Sequence, residues 1–226
     1  MKLSNVSRCC LYLGIVGILM SGCATESSRV VETPQVRASG VPYAGLKRSV
    51  IIGQFSNRSS YMRGVFSDGV DRLGDQAKTL LITHLQQSGR FAVMDRDHLD
   101  ETSGEAAIGG QEQRLKAASY TITGDVSEFG RKEVGDQQLF GIVGSGRKQI
   151  AYSKVSLYVV DVISGEVVYS VHGAGEYELS HREVLGFGGT ASYDSTLNGK
   201  VLDLAIREAV DALAYGLDSG AWTEAR

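Results

Sequence analysis

The chain has 226 residues, of which 23 are Lys or Arg and 26 are Asp or Glu, so its formal charge is −3. A mildly acidic chain without a run of basic residues argues against nucleic acid as the main partner. Its length suits one domain of ordinary size with a buried core, and two domains would be hard to fit.

The first residues have the pattern of a secretory signal. Lys2 and Arg8 give a short positive region, about ten mainly apolar residues follow, and small residues precede Cys23. That apolar stretch is too short to cross roughly 30 Å of hydrocarbon as a permanent helix. Residues 19–23, Leu-Met-Ser-Gly-Cys, resemble the lipobox of bacterial lipoproteins, in which the cysteine is acylated before cleavage. We therefore expect residues 1–22 to be a cleaved signal peptide and Cys23 to carry lipid.

Two other interpretations of this segment stay open. One is an ordinary cleaved signal in which Cys23 is incidental, and the other is an uncleaved anchor helix. In the lipoprotein interpretation Cys9 and Cys10 are removed with the signal, which leaves one cysteine in the mature chain. No disulfide can then form within it.

Residues 23–46 are expected to form a lipidated N-terminus and a flexible tether. They carry both prolines of the chain and have neither helical nor strand periodicity. The folded domain is then expected to span residues 47–226. A short β-branched run at residues 49–55 predicts a buried strand, and the polar residues 57–66 predict a loop.

Amphipathic patterns continue along the first half. Apolar residues recur at steps of three and four from Val70 to Leu85, which predicts a helix ended by Gly89. Beyond it we expect strands at 91–94 and 120–126, separated by two short helices at 95–102 and 111–118 that flank a glycine-rich turn.

The second half predicts long strands. From residue 149 to 162 apolar residues alternate, and Ala151, Val155, Leu157 and Val159 share one face. Ser164 and Gly165 predict a tight turn, after which residues 166–179 return as a second strand. A last amphipathic helix is predicted from Leu202 to Leu217. Together these elements predict an α+β fold, with helices on a mixed sheet.

No catalytic or cofactor motif stands out. Residues 141–146 are rich in glycine but lack dinucleotide or phosphate-loop spacing, so a turn is the better interpretation. Asp95, Asp97, His98 and Glu101 lie close together, yet such a group more often forms a helix cap and a solvated face than a metal site. The other histidines are scattered, and a GxSxG serine motif is absent from the sequence. We expect no metal, no cofactor and no enzymatic activity.

Several segments in order do carry a family likeness. They are the lipobox, the strand at 50–55 with its loop and helix, Leu-Phe-Gly-Ile at 139–142, the strand pair at 155–168, and the closing helix that ends in Leu-Asp-Ser-Gly-Ala-Trp at 217–222. Together they resemble the CsgG/HfaB family of curli-type secretion lipoproteins, over most of the mature chain.

The resemblance implies an outer-membrane lipoprotein with its domain in the periplasm. Its subunits would form a homo-oligomeric ring in which two β-hairpins per subunit join one barrel, and unfolded protein subunits would leave through a constriction. By position the hairpins would fall at 128–154 and 171–197. The constriction loop would contain Asn57, Tyr61 and Phe66.

The sequence also departs from this pattern. Both hairpin segments carry charges in consecutive positions, which cannot all face a water-filled lumen because the sides of a strand alternate. A second function therefore stays open, in which a lipid-tethered periplasmic adaptor or assembly factor binds an envelope protein without making a pore. Ala24 rather than aspartate follows Cys23, which in lipoprotein sorting implies the outer membrane.

Overall fold

The computed structural model describes residues 34–61, 69–137, 145–183 and 197–222. Within these ranges a five-stranded mixed sheet carries helices. The elements in chain order are a 3₁₀ turn at Arg37–Gly40, β1 at Arg48–Asn57, α1 at Arg72–Gln87, β2 at Phe91–Val93, α2 at Leu99–Ile108, β3 at Tyr120–Gln137, β4 at Ser145–Asp161, β5 at Val167–Glu183 and α3 at Leu197–Asp218.

The strands lie in the order β2-β1-β3-β4-β5. β1 is parallel to both β2 and β3, whereas β3, β4 and β5 form consecutive antiparallel pairs. The antiparallel ladders continue to the far ends of these three strands, where Ser145 pairs with both Gln137 and Glu183. The expected mixed sheet is confirmed, and the two long strands of the second half pair as predicted.

One face of the sheet is covered by α1 and α3. The β4 side chains predicted to share a face, including Ala151, Val155 and Leu157, are fully buried beneath the helices. α1 presents Leu73, Ala77 and other apolar residues at helical spacing to the same core.

α3 approaches β5 closely. A Cβ built on Gly173 would lie 2.1 Å from the carbonyl oxygen of Ala205, and one on Gly175 would lie 2.7 Å from that of Val201. Only glycine leaves room for the helix backbone at these two positions. The pair of glycines therefore sets the distance between the last helix and the sheet.

Some predicted boundaries are wrong. Val70 is exposed and precedes α1. α2 begins at Leu99 rather than at residue 95, and residues 111–118 are not helical. The 111–118 segment has good helix formers but no apolar stripe, and a short helix without a face to bury gains no tertiary packing.

The packed part of the chain starts earlier than residue 47, the boundary expected from the sequence. Val36 is buried, and Tyr43 packs against the same core. Arg37 in the 3₁₀ turn forms ion pairs with Glu208 and Asp211 on α3, at 2.8 and 3.2 Å. In the described ranges, the helices are all too short or too polar to cross a bilayer.

Candidate functional site

The predicted constriction loop begins with a tight turn built by Asn57. The Asn57 side-chain oxygen accepts hydrogen bonds from the backbone nitrogen of Ser59 at 3.0 Å and from the Ser59 hydroxyl at 2.6 Å. Its amide nitrogen donates to the carbonyl oxygen of Tyr61 at 2.7 Å. Asn57 is only 8% exposed, because these bonds hold its amide inside the turn.

Asp71 holds the two ends of this loop together. One carboxylate oxygen accepts from the backbone nitrogen of Asn57 at 2.6 Å, and the other caps α1 by accepting from the backbone nitrogen of Gly74 at 2.8 Å. A Cβ on Gly74 would lie 2.6 Å from that carboxylate, so glycine is needed for the cap to close. The exit from β1 and the entry to α1 are thus fixed by one side chain.

Tyr61 connects the loop to the sheet and to α3. Its ring lies 4.7 Å from that of Phe129, tilted by 58°, and its hydroxyl accepts from the side-chain nitrogen of Asn198 at 2.7 Å. The side-chain oxygen of Asn198 in turn accepts from Nε of Arg131 at 2.9 Å. Tyr61 therefore lies beside the first turn of α3.

The structure brings together two of the four residues proposed from the sequence. Asn57 and Tyr61 lie in one hydrogen-bonded turn, whereas Cys23 and Phe66 lie outside the described residues. A role of Asn57, Tyr61 and Phe66 in a constriction stays a prediction. Sequence reasoning missed Asp71, although an aspartate just before a helix is a typical cap.

The row of paired residues Arg131, Ala151 and Tyr177 marks where α3 begins. Arg131 contacts α3 through Asn198, and the ammonium of Lys200 on α3 lies 5.3 Å from the centre of the Tyr177 ring. Beyond this row β3, β4 and β5 continue without a described helix above them. We call this extension, from the row outward, the tongue.

Charged side chains surround the base of the tongue on the face away from the helices. Glu128 and Lys154 form an ion pair across β3 and β4 at 2.8 Å. Lys132 and Glu178 occupy the two outer strands of one row and are both exposed. At its base, the open face of the tongue therefore carries charges of both signs, on either side of the buried Ile150.

A polar row crosses the same open face nearer the core. Asp125, Ser156 and His172 are neighbours on β3, β4 and β5, and the Ser156 hydroxyl lies 3.1 Å from Nδ1 of His172. A catalytic serine needs an imidazole that an acid orients from its other side. Asp125 instead lies on the far side of Ser156 and pairs with Arg58 at 3.8 Å. The row therefore contains the three residue types of a catalytic triad, but their order in space does not let the acid orient the imidazole.

The acidic group before α2 forms a local network. Nδ1 of His98 lies 2.7 Å from a carboxylate oxygen of Asp95, and the other oxygen accepts from the backbone nitrogen of Asp97. The hydrogen bond from His98 lowers the pKa of Asp95, and its carboxylate raises the pKa of His98. Over the part of the chain that the structure describes, three such side chains do not come close enough together to hold a metal ion.

Known proteins resemble this chain at two levels. The profile of the family described as "Curli production assembly/transport component CsgG" matches residues 34–225. A protein of Neisseria meningitidis serogroup B, whose name describes it as a lipoprotein, is 55% identical over 212 residues, which is 94% of this chain and 95% of the relative.

The solved structures that match this chain share little sequence with it. The PelC dodecamer from Paraburkholderia phytofirmans is 14% identical, over 80% of this chain and 93% of PelC, with a TM-score of 0.35. The lipoprotein GNA1162 from Neisseria meningitidis is 16% identical, over 76% of this chain and 99% of GNA1162, with a TM-score of 0.34.

Proposed function

This chain belongs to the CsgG family, and from that membership we propose that it is a lipid-anchored assembly factor of the bacterial envelope. In this proposal Cys23 carries the lipid and holds the protein at the outer membrane, with the domain in the periplasm. The protein acts as a homo-oligomer that binds an envelope protein, without catalysis and without forming a pore. The lipobox and the name of the 55% identical relative support the anchor.

The main observation against a pore is the short length of the tongue. Beyond the row at which α3 begins, residues 132–150 are what the chain has for two strands and their turn. Counted along the sequence, they leave roughly eight or nine residues a strand, whereas a strand that crosses a bilayer needs about nine to eleven. A second hairpin within residues 178–196, as the family resemblance implies, would have roughly nine residues a strand, at the lower limit of that range.

Charge supports the same conclusion. Lys132 and Glu178 are exposed at the base of the tongue, where each strand would enter the membrane. A Lys or Arg that faces lipid costs about 2 to 4 kcal/mol at the midplane and about 0 to 1 near the interface. Arg147 and Lys148 are adjacent in sequence, so one of the two would face lipid if this hairpin crossed a bilayer.

A secretion-channel subunit is the second candidate function, and the family description favours it. Transport components of this family would export unfolded protein subunits through a ring, and in this proposal Tyr61, beside the base of the tongue, would belong to the constriction. The two candidates share the lipid anchor and the homo-oligomer. They differ in whether the assembly conducts ions across a membrane.

Membrane conductance of the lipidated full chain separates the two functions. We expect palmitate to label the wild type and not Cys23→Ala, and we expect the purified protein to leave a planar bilayer insulating. Steady single-channel conductance that widens in Tyr61→Ala would overturn the adaptor in favour of the channel. Equal labelling of Cys23→Ala would contradict the anchor itself.

A further inference from the structure

Exposed apolar side chains gather at the end of the sheet opposite the tongue. Ten large hydrophobic residues are exposed among those described, and five of them lie in the three segments at this end. Single exposed apolar residues are ordinary on a protein surface, but a group of them marks an interaction site. The five are Leu46 (87% exposed), Leu115 (55%), Val162 (49%), Ile163 (97%) and Val167 (53%).

A hydrogen-bonded row holds these segments side by side. The backbone nitrogen of Ser119 donates to the carbonyl oxygen of Ser49 at 2.9 Å, and that of Val162 donates to the carbonyl oxygen of Ser119 at 3.1 Å. Leu46 precedes Ser49 by three residues, and Leu115 precedes Ser119 by four. The entries to β1 and β3 and the β4–β5 turn therefore form one surface, which we call the end face.

The most exposed residue of the end face is held by an ordered turn. The Asp161 carboxylate accepts from the backbone nitrogens of Ile163 at 2.9 Å and Ser164 at 2.7 Å, and these bonds lower the pKa of Asp161. Gly165 has a φ of +72°, which closes the turn without strain. Ile163 is thus presented to solvent by a fixed backbone, so little conformational entropy is lost when a partner covers it.

Charges divide the end face into two halves. Lys47, Arg114 and Lys116 lie on the side of β1 and β3, together with Glu112, so this half is net basic. The half formed by the β4–β5 turn carries Asp161 and Glu166 and no basic residue. A two-fold rotation places the basic half of one copy against the acidic half of the other, with the apolar residues between them.

We propose that the end face binds the end face of a second copy of this chain in a two-fold contact. The proposal goes beyond the proposed function, which assigns no contact to this end of the sheet. A bilayer surface is the less fitting occupant. Anionic lipid attracts a uniformly basic apolar surface, whereas half of the end face is acidic.

The molar mass of the lipidated full chain in mild detergent tests this contact, by light scattering across a concentration series. We expect Ile163→Asp to halve the mass of the largest species. Lys47→Glu and Glu166→Lys should each weaken the assembly about tenfold, because each places like charges opposite one another. The double variant with both changes should return to within about twofold of the wild type, because the opposite charges meet again.

Ile108→Asp is the matched control, because Ile108 is also exposed (81%) but lies at the end of α2. It should leave the mass unchanged. The proposal is overturned if Ile163→Asp keeps the wild-type mass, or if the double charge swap is no better than the single changes. It is equally overturned if Ile163→Asp changes only the binding to vesicles of phosphatidylethanolamine with phosphatidylglycerol, which would assign the end face to lipid.

Discussion

Arg90 joins the N-terminal segment, β2 and the end of α3 through one guanidinium. Its nitrogens donate to the Asp218 carboxylate at 2.7 and 2.9 Å and to the carbonyl oxygens of Ala38 and Ser88 at 2.9 and 2.8 Å. The Arg90 side chain is 4% exposed, so these partners replace nearly all of its water. No pattern in the sequence distinguishes Arg90 from other arginines, since its partners are distant along the chain.

We expect Asp218→Ala to lower the free energy of unfolding by about 3 kcal/mol, because it leaves a buried guanidinium without its carboxylate. The loss lies at the low end of the usual range because the Asp218 side chain is itself 38% exposed. Urea unfolding measures it. Glu105→Ala on the exposed side of α2 serves as control and should change stability by less than about 0.5 kcal/mol. Equal effects of the two variants would mean that the ion pair contributes nothing.

The Asp95–His98 pair predicts that the stability of the fold depends on pH through the titration of these two side chains. The pKa of His98 is raised above 6.5 by the Asp95 carboxylate, and the pKa of Asp95 is lowered by the hydrogen bond from His98. The pair therefore stabilises the fold at pH values between these two pKa values. The contribution is lost as the pH rises through the raised pKa of His98, or falls through the lowered pKa of Asp95.

An NMR titration of the His98 ring tests this pair. The midpoint should lie above 6.5 in the wild type and return toward 6.5 in Asp95→Asn, which keeps the shape of the side chain but removes its charge. A wild-type midpoint at 6.5, or one that Asp95→Asn leaves in place, would show that the pair does not form in solution.

At the scale of elements, the sequence predicted the strands and helices that bury one face. The apolar residues of β4 recur every second residue and those of α1 every 3.6 residues, and both elements lie close to their predicted bounds. Residues 111–118 have helical composition without such a face, and the prediction there failed. The site was harder to predict. Asn57 and Tyr61 came from the family resemblance, while Asn198 meets Tyr61 only because α3 returns across the sheet.

The close contact between α3 and β5 predicts that one methyl group added at Gly173 lowers the stability of the fold. Gly173→Ala places a Cβ against the carbonyl oxygen of Ala205, and backbone on both sides cannot rotate away as a side chain would. We expect a loss of about 2 to 3 kcal/mol in the free energy of unfolding, as for other overpacked cores. Thermal or urea unfolding measures it. Ala174→Val on the exposed neighbour should be close to neutral, and a similar loss there would point to the strand rather than to the helix contact.

At the scale of the whole described domain, the sheet has two dissimilar ends, the tongue and the end face. The orientation of the domain at the membrane decides between the two functions. If the tongue crossed a bilayer, the end of β3 at Gln137 would lie in hydrocarbon, whereas an adaptor keeps it in water. We expect a polarity-sensitive dye on Gln137→Cys to emit as in water when the lipidated protein is bound to vesicles, and a membrane-impermeant maleimide to reach the same cysteine.

A dye on Glu105→Cys gives the reference for a water-exposed position on α2, because Glu105 is exposed. In the proposed adaptor, lipid attached at Cys23 would hold the domain outside the bilayer, so both sites should give the same emission and the same labelling rate. A blue shift confined to Gln137, with protection from the maleimide, would place the tongue in the membrane. That result would show that strands of roughly eight or nine residues are long enough to cross this bilayer, and it would favour the secretion channel over the adaptor.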